Sequence, residues 1–144
     1  MNTVKRMLDA KGSDVITYHA DHDVGAACKV LSEHNIGALP IVNEQGDLVG
    51  IFSERDVVRI VAEMEENALS MPVSTFMTEH VVTIGINESL STARNLMKKG
   101  HFRHLPVIEN NKLIGLISLS DVVEALATEM EALADHFRDY ITTG

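Results

Sequence analysis

Apolar positions along the 144-residue chain change period in a regular order. Val15 to Tyr18 is a short β-prone run. After polar His19 to Asp23, the residues Val24, Ala27, Cys28 and Leu31 recur at i, i+3, i+4 and i+7. That spacing predicts a helix capped by Asp21 or Asp23, with its pattern lost at His34-Asn35-Ile36-Gly37. Ala38 to Val42 and Leu48 to Phe52 are apolar runs on either side of Asn43-Glu44-Gln45-Gly46-Asp47, which predicts a β-hairpin turning near Gly46. Val57, Ile60, Val61 and Met64 then lie on one face of a second helix. Ahead of all this, Val4 to Leu8 offers one or two helical turns ending near Gly12, to which no chemistry is assigned.

The same order then begins again. Pro72, Ser74 and Thr75 mark a short connection. It is followed by a strand at Val81 to Ile84, a helix from Ser89 to Lys99 capped by Asn87 or Ser89, a hairpin over Leu105 to Ile117, and a long final helix. Leu39-Pro40-Ile41-Val42 is echoed by Leu105-Pro106-Val107-Ile108 at a shift of 66, and Gly50, Ser53 and Asp56 by Gly115, Ser118 and Asp121 at a shift of 65. The missing residue falls in the hairpin connection, Asn43 to Asp47 against Glu109 to Lys112. Upstream, Val15, Thr17, Val24 and Ala27 find Val81, Thr83, Leu90 and Ala93. One unit of roughly sixty residues is used twice, a length typical of a repeated supersecondary unit. The prediction is an α/β chain of two β-α-β-β-α repeats, residues 1–70 with the N-terminal segment and residues 71–144 with an extended C-terminal helix. The short connection predicts that the repeats pack on one another.

The last helix departs from its twin. Val123, Leu126, Met130, Leu133, Phe137 and Tyr140 fall at spacings of 3, 4, 3, 4 and 3, a seam of coiled-coil type longer than one small unit covers. The seam either packs on the chain's own core or joins two copies, and its length favours a homodimer.

Charge narrows the partners. There are 21 acidic against 12 basic residues, a formal charge of −9, and no basic run interleaved with aromatics. Such a surface repels a phosphodiester backbone, so nucleic acid is not an expected partner, while a small phosphate ligand needs only a local cluster of donors. The single cysteine, Cys28, sits among apolar partners on a helix and reads as a small packed residue. No apolar window approaches the ~18 residues of a membrane span, and MNTVKRMLDAKG has no apolar leader core. A soluble, cytoplasmic protein with no membrane partner is expected.

The chemistry to explain is the repeated junction, GIFSERDVV at residues 50–58 and GLISLSDVV at residues 115–123. Ser-x-x-Asp where a strand hands over to a helix is a capping-box pattern, in which serine oxygen and aspartate carboxylate satisfy each other's backbone amides. That explains one copy without any ligand. Three features add a binding reading. A helix start offers amide donors and the positive end of the dipole to an anion. A carboxylate has two acceptor oxygens for the hydroxyls of a ribose. Phe102-Arg103-His104-Leu105-Pro106 sets a guanidinium and an imidazole at the start of the preceding strand, and a guanidinium can fork onto phosphate oxygens.

Taken together, the order strand, helix, strand, strand, helix with Gly-h-h-Ser-x-x-Asp at the last junction, present twice, resembles a tandem pair of cystathionine-β-synthase (CBS) domains over about residues 13–130. The resemblance implies two repeats related by a pseudo-two-fold axis, with adenosine nucleotides or related adenosyl ligands held between them. Carried onto this chain, it assigns one site to Ser118, Ser120 and Asp121, which match the pattern of the nucleotide-sensing subunit of the AMP-activated kinase family. Arg103 and His104 serve its phosphate, and Ser13, Val15 and Ile16 complete it. A second site would use Ser53, Arg55 and Asp56, closed by Thr78 and Val81. Gly37-Ala38 lacks the basic pair there, and Arg55 is the residue left to compensate. The implied ligand is AMP, ADP or ATP, or NAD(H), acting as a regulatory ligand with no cofactor required. The regulated protein is unidentified.

Other constellations carry less. His19-x-x-His22 offers two metal ligands, but no cysteine or carboxylate completes a set at a recognised spacing, so solvated loop histidines are expected and no metal site is assigned. No nucleophile elbow or oriented base is present, and no catalytic residue is assigned. Met64, Met97 and Met130 fall on helix faces as core filler. The leading expectation is thus a non-catalytic sensing module. A ligand-free dimerisation scaffold and, less well supported, a nucleotide-acting enzyme are its rivals.

Overall fold

The computed structural model describes residues 3–12, 14–63 and 66–143. Five helices and six strands are present among them: α1 Val4–Lys11, β1 Tyr18–His19, α2 Val24–His34, β2 Ala38–Val42, β3 Leu48–Ser53, α3 Glu54–Glu63, β4 Ile84–Gly85, α4 Leu90–Gly100, β5 His104–Glu109, β6 Lys112–Ser118 and α5 Leu119–Thr143. They form an α/β fold with two three-stranded sheets, ordered β1-β2-β3 and β4-β5-β6. The chain divides into two compact units, one of Asp14–Val82 with Glu109–Ile114, the other of Met1–Ser13, Thr83–Ile108 and Gly115–Gly144. The N-terminal segment, grouped with the first repeat on sequence order, falls in the same unit as α4 and α5.

In the unit containing Asp14–Val82, Asp23 caps α2, its carboxylate accepting from the Ala26 amide at 2.7 Å. Asn35 ends that helix in the left-handed conformation at φ 56°. The apolar stripe Val24, Ala27 and Leu31 is buried with Leu39, Ile41 and Phe52 from the sheet and Ile60 from α3. Cys28 packs against this core, and burial pushes its thiol pKa up, which keeps it in the unreactive protonated form. β2 and β3 pair antiparallel with a bulge between Ile41 and Val42. Their turn is held by the Asn43 side chain, whose Oδ1 accepts from the Gln45 and Asp47 amides, with Gly46 at φ +82°. The strand expected over Val15 to Tyr18 starts only at its last residue and runs on into His19, the two residues that find parallel partners in Ile41 and Val42.

The helix face expected on α3 is rotated. Ile60 is buried and Val57 packs on the core, but Val58 and Val61 are 68% and 75% exposed. The inward position one turn before Ile60 belongs to Asp56, which is 4% exposed. A buried carboxylate in the first turn therefore sets the helix's rotation and turns Val61 outward. Met64 lies outside the described residues.

In the other unit, Ser89 caps α4 by accepting from the Thr92 amide at 3.1 Å, and β4 is again only two residues long, pairing in parallel with Val107 and Ile108. The β5–β6 turn carries Asn110 at φ 52° and Asn111 at φ 64°, the two consecutive left-handed residues of a type I′ hairpin. This tighter turn accounts for the one-residue difference between the repeats. α1 is tied down at its start by Val4 and Lys5 amides donating to Glu88 and Ile86 carbonyls at 2.9 and 2.8 Å, and Val4, Met7 and Leu8 are buried. α4 packs against α5. Beyond Leu126, the α5 seam is uncovered: Met130, Leu133, Phe137 and Tyr140 are all more than half exposed. Met97 is core, as expected, whereas Met130 is not. Among the described residues no helix is long and apolar enough to cross a membrane.

Candidate functional site

Each repeat delivers its serine on the last residue of a strand and its aspartate three residues on, in the first turn of the following helix. Strand and helix are contiguous, so the capping geometry is built into the handover. A backbone bond fastens each handover: the Glu54 amide donates to the Gly37 carbonyl at 3.0 Å, and the Leu119 amide to the Arg103 carbonyl at 2.8 Å.

The first junction is closed. Asp56 Oδ2 accepts from the Ser53 amide at 2.8 Å and the Ser53 hydroxyl at 3.2 Å. Its Oδ1 accepts from Arg59 Nη2 at 2.9 Å, and the same nitrogen donates to the Phe76 carbonyl at 3.1 Å. Both carboxylate oxygens are thus engaged, and the side chain is 5% exposed. The cation on Asp56 is Arg59, to which the sequence pattern assigns no role; Arg55, the expected phosphate ligand of this site, is exposed. Thr78 reaches this junction through its backbone, exchanging amide and carbonyl bonds with Ile51 at 3.0 and 2.9 Å. Gly50 permits that approach: a Cβ there would lie 2.5 Å from Met77 Sδ and 3.0 Å from the Thr78 carbonyl oxygen. Val81 is half-buried in the same unit.

The second junction is more open. The Asp121 amide donates to Ser118 Oγ at 3.1 Å, and Asp121 Oδ2 accepts from the Ser118 amide at 3.3 Å. Lys11, the last residue of α1, reaches the same Oδ2 at 2.5 Å and also donates to the Leu116 carbonyl at 3.0 Å. One-third of the Asp121 side chain remains exposed. Partial burial alone would raise the carboxyl pKa, but hydrogen bonds from Lys11 and Ser118, with the lysine charge, outweigh it and hold Asp121 below the ordinary aspartate value. Gly115 occupies the position equivalent to Gly50, and a Cβ there would meet Leu8 Cδ2 at 2.8 Å, so that the Leu8 side chain would have to shift.

Of the other expected residues, Ser120 is exposed on the first turn of α5 and Arg103 is exposed just before β5, where His104 is half-buried. Val15 and Ile16 are half-buried in the unit of Asp14–Val82, Ile16 against its core. Ser13 lies outside the described residues. Lys11 is the functional candidate that sequence reasoning missed. Its only local signal was a basic residue at the end of a helix, which a dipole argument already explains.

At the His19-x-x-His22 loop the carboxylates absent from the sequence motif do arrive: one ligand atom each of His19, Asp21 and Glu44 lies within 4.8 Å of the others. The His19 Nδ1 already accepts from the Asp21 amide at 3.2 Å, and Asp21 and Glu44 are exposed.

Two α/β repeats, each ending in a strand-to-helix junction that carries a serine and, three residues on, an aspartate, define a paired-repeat module. The CBS domain family model matches residues 9–63 and 73–128, and the chain belongs to that family. It is 42% identical to the CBS-domain containing protein ATU1752 from Agrobacterium tumefaciens, whose crystal structure superposes with a TM-score of 0.83 over 85% of this chain and 92% of that one. The CBS domain pair of protein MJ0100, solved in complex with 5-methylthioadenosine and S-adenosyl-L-methionine, is 28% identical with a TM-score of 0.79 over 90% of this chain and 98% of that one. The uncharacterized 17.7 kDa protein in the bps2 3′ region of Acidianus ambivalens is 35% identical over 72% of this chain, which spans 62% of that relative's length.

Proposed function

We propose that this chain is a non-catalytic regulatory module that binds an adenosine nucleotide at the Asp121 junction and passes the occupancy on to a partner protein. The observation that carries the reading is the contrast between the junctions. Asp56 has both oxygens engaged and is buried, whereas Asp121 offers a partly exposed carboxylate. That carboxylate suits ribose hydroxyls, and the exposed Arg103 guanidinium beside the β5 start suits phosphate. The adenosyl ligands of the MJ0100 domain pair support the ligand class. AMP, ADP, ATP and NAD(H) all share the adenosine such a site would read.

The module acts in the cytoplasm as a homodimer, with a second copy covering the exposed Met130, Leu133, Phe137 and Tyr140 of α5. Ligand binding then changes affinity for the partner by an amount equal to the coupling between the two sites. The scaffold reading is favoured by one observation, the aspartate carboxylate accepting from the serine amide at both junctions, as in a capping box. Calorimetric titration of nucleotide-stripped protein with AMP, ATP, NADH and S-adenosylmethionine separates the two. Saturable heat with at least one ligand is expected, and none with any of the four, from folded protein, supports the scaffold.

A further inference from the structure

The two junction carboxylates are each paired with a cation, but the cations are of different kinds. Arg59 belongs to the same helix as Asp56, three residues on, and is fixed by a second bond to the Phe76 carbonyl, so that pair is local to one element. Lys11 comes from α1, 110 residues away in sequence, and meets a carboxylate that still faces solvent. α1 is anchored independently of this contact, by the Val4 and Lys5 backbone bonds and by Leu8 seated on Gly115. Lys11 is its last residue, followed by Gly12 at φ 99°, and its flexible four-carbon stem can swing while the helix stays in place.

We infer that Lys11 is a displaceable competitor for Asp121 and thereby sets which adenosyl ligands the junction accepts. The inference rests on the nucleotide-binding reading above. An incoming pair of ribose hydroxyls must take Asp121 Oδ2 from the Lys11 ammonium. An ion pair with both side chains one-third or more exposed is weak, so displacement is inexpensive. The ammonium so released lies beside the bound ligand, where it attracts a phosphate and repels a sulfonium. A neutral adenosyl ligand bears the cost of displacement without that return. Lys11 therefore tilts the site toward anionic nucleotides and away from adenosine or S-adenosylmethionine, a selection that Asp121 cannot make, because it meets only the shared ribose, and that adds to any attraction of phosphate by Arg103.

The test is calorimetric titration of the full chain and its Lys11→Met and Lys11→Arg variants with AMP and with adenosine. For Lys11→Met, adenosine should bind about two- to fivefold tighter, as expected for removal of an exposed ion pair, and the AMP-to-adenosine affinity ratio should fall about tenfold through loss of a charged hydrogen bond. Lys11→Arg should restore most of that ratio. If the wild type binds AMP and the ratio is unchanged in Lys11→Met, the competitor is overturned while the binding site stands. If folded wild type and folded Lys11→Met both bind neither ligand, the inference falls, and the titration with ATP, NADH and S-adenosylmethionine decides whether the reading beneath it falls as well.

Discussion

The Lys11 ammonium lies 2.5 Å from Asp121 Oδ2, joining the last residue of the first helix to the first turn of the last one. The contact makes stability depend on pH in a definite direction. A carboxyl held below its unfolded pKa contributes stability that is complete above about pH 4, the ordinary aspartate value, and is lost as pH falls through the lowered folded value. Lys11→Met should therefore cost about 0.2–1 kcal/mol at pH 7, and the difference from wild type should shrink as pH falls below the ordinary aspartate value. Urea denaturation above and below that value measures both terms. A difference that grows on acidification would contradict the pairing.

The two aspartates differ in what they leave behind when removed. Asp56→Ala removes a buried carboxylate and with it the acceptor of the half-buried Ser53 amide and hydroxyl and of Arg59. It should destabilise by about 2 kcal/mol, combining a lost cap with polar groups left unpaired. Asp121→Ala leaves groups that water can reach and should cost about 1 kcal/mol. Chemical denaturation midpoints at constant m-value rank the pair, and an equal loss would contradict the closed-versus-open distinction.

Gly50 and Gly115 are both needed for close approach, but what each meets differs. At Gly50 a methyl group would press on the Thr78 backbone as well as on Met77, and at Gly115 only on the Leu8 side chain. Overpacking against backbone relaxes less readily. Gly50→Ala should lose about 1–3 kcal/mol and Gly115→Ala about 1 kcal/mol. Thermal melts of the two variants, read side by side, test the order.

The exposed α5 seam predicts a change in mass. Leu133→Lys or Phe137→Asp places a charge at the centre of an apolar contact without touching either junction. Light scattering at micromolar concentration should give a dimer mass for the wild type and a monomer mass for the variants. A monomeric wild type would contradict the proposed self-association.

Much of this fold is legible in the sequence because its determinants are local. The Asn43–Gly46 turn and the serine-to-aspartate spacing of both junctions each lie within a few residues, so pattern alone finds them, and it narrows the caps to Asp21 or Asp23 and Asn87 or Ser89, of which the structure takes Asp23 and Ser89. The repeat supplied the rest of the order. What escaped was decided by distant partners. β1 and β4 keep only the last residue of each β-prone run, Tyr18 and Ile84, and add His19 and Gly85, because the parallel pairing with β2 and β5 is made there. Val61 faces solvent because a buried carboxylate, Asp56, claims the inward position of α3. Arg59 is within reach of an i,i+3 argument from Asp56, but that argument carries weight only once the aspartate is known to be buried. Lys11 had no such route, as nothing in MNTVKRMLDAKG points to a carboxylate 110 residues later.

The central claim is that Asp121, and not Asp56, is the ligand carboxylate. Titration calorimetry of AMP into nucleotide-stripped wild type, Asp56→Ala and Asp121→Ala, each confirmed folded by circular dichroism, tests it directly. The account predicts one AMP per chain for wild type and Asp56→Ala, with affinity at least about tenfold weaker in Asp121→Ala through loss of a charged hydrogen-bond acceptor. Wild-type affinity in Asp121→Ala, or binding abolished by Asp56→Ala instead, would contradict it.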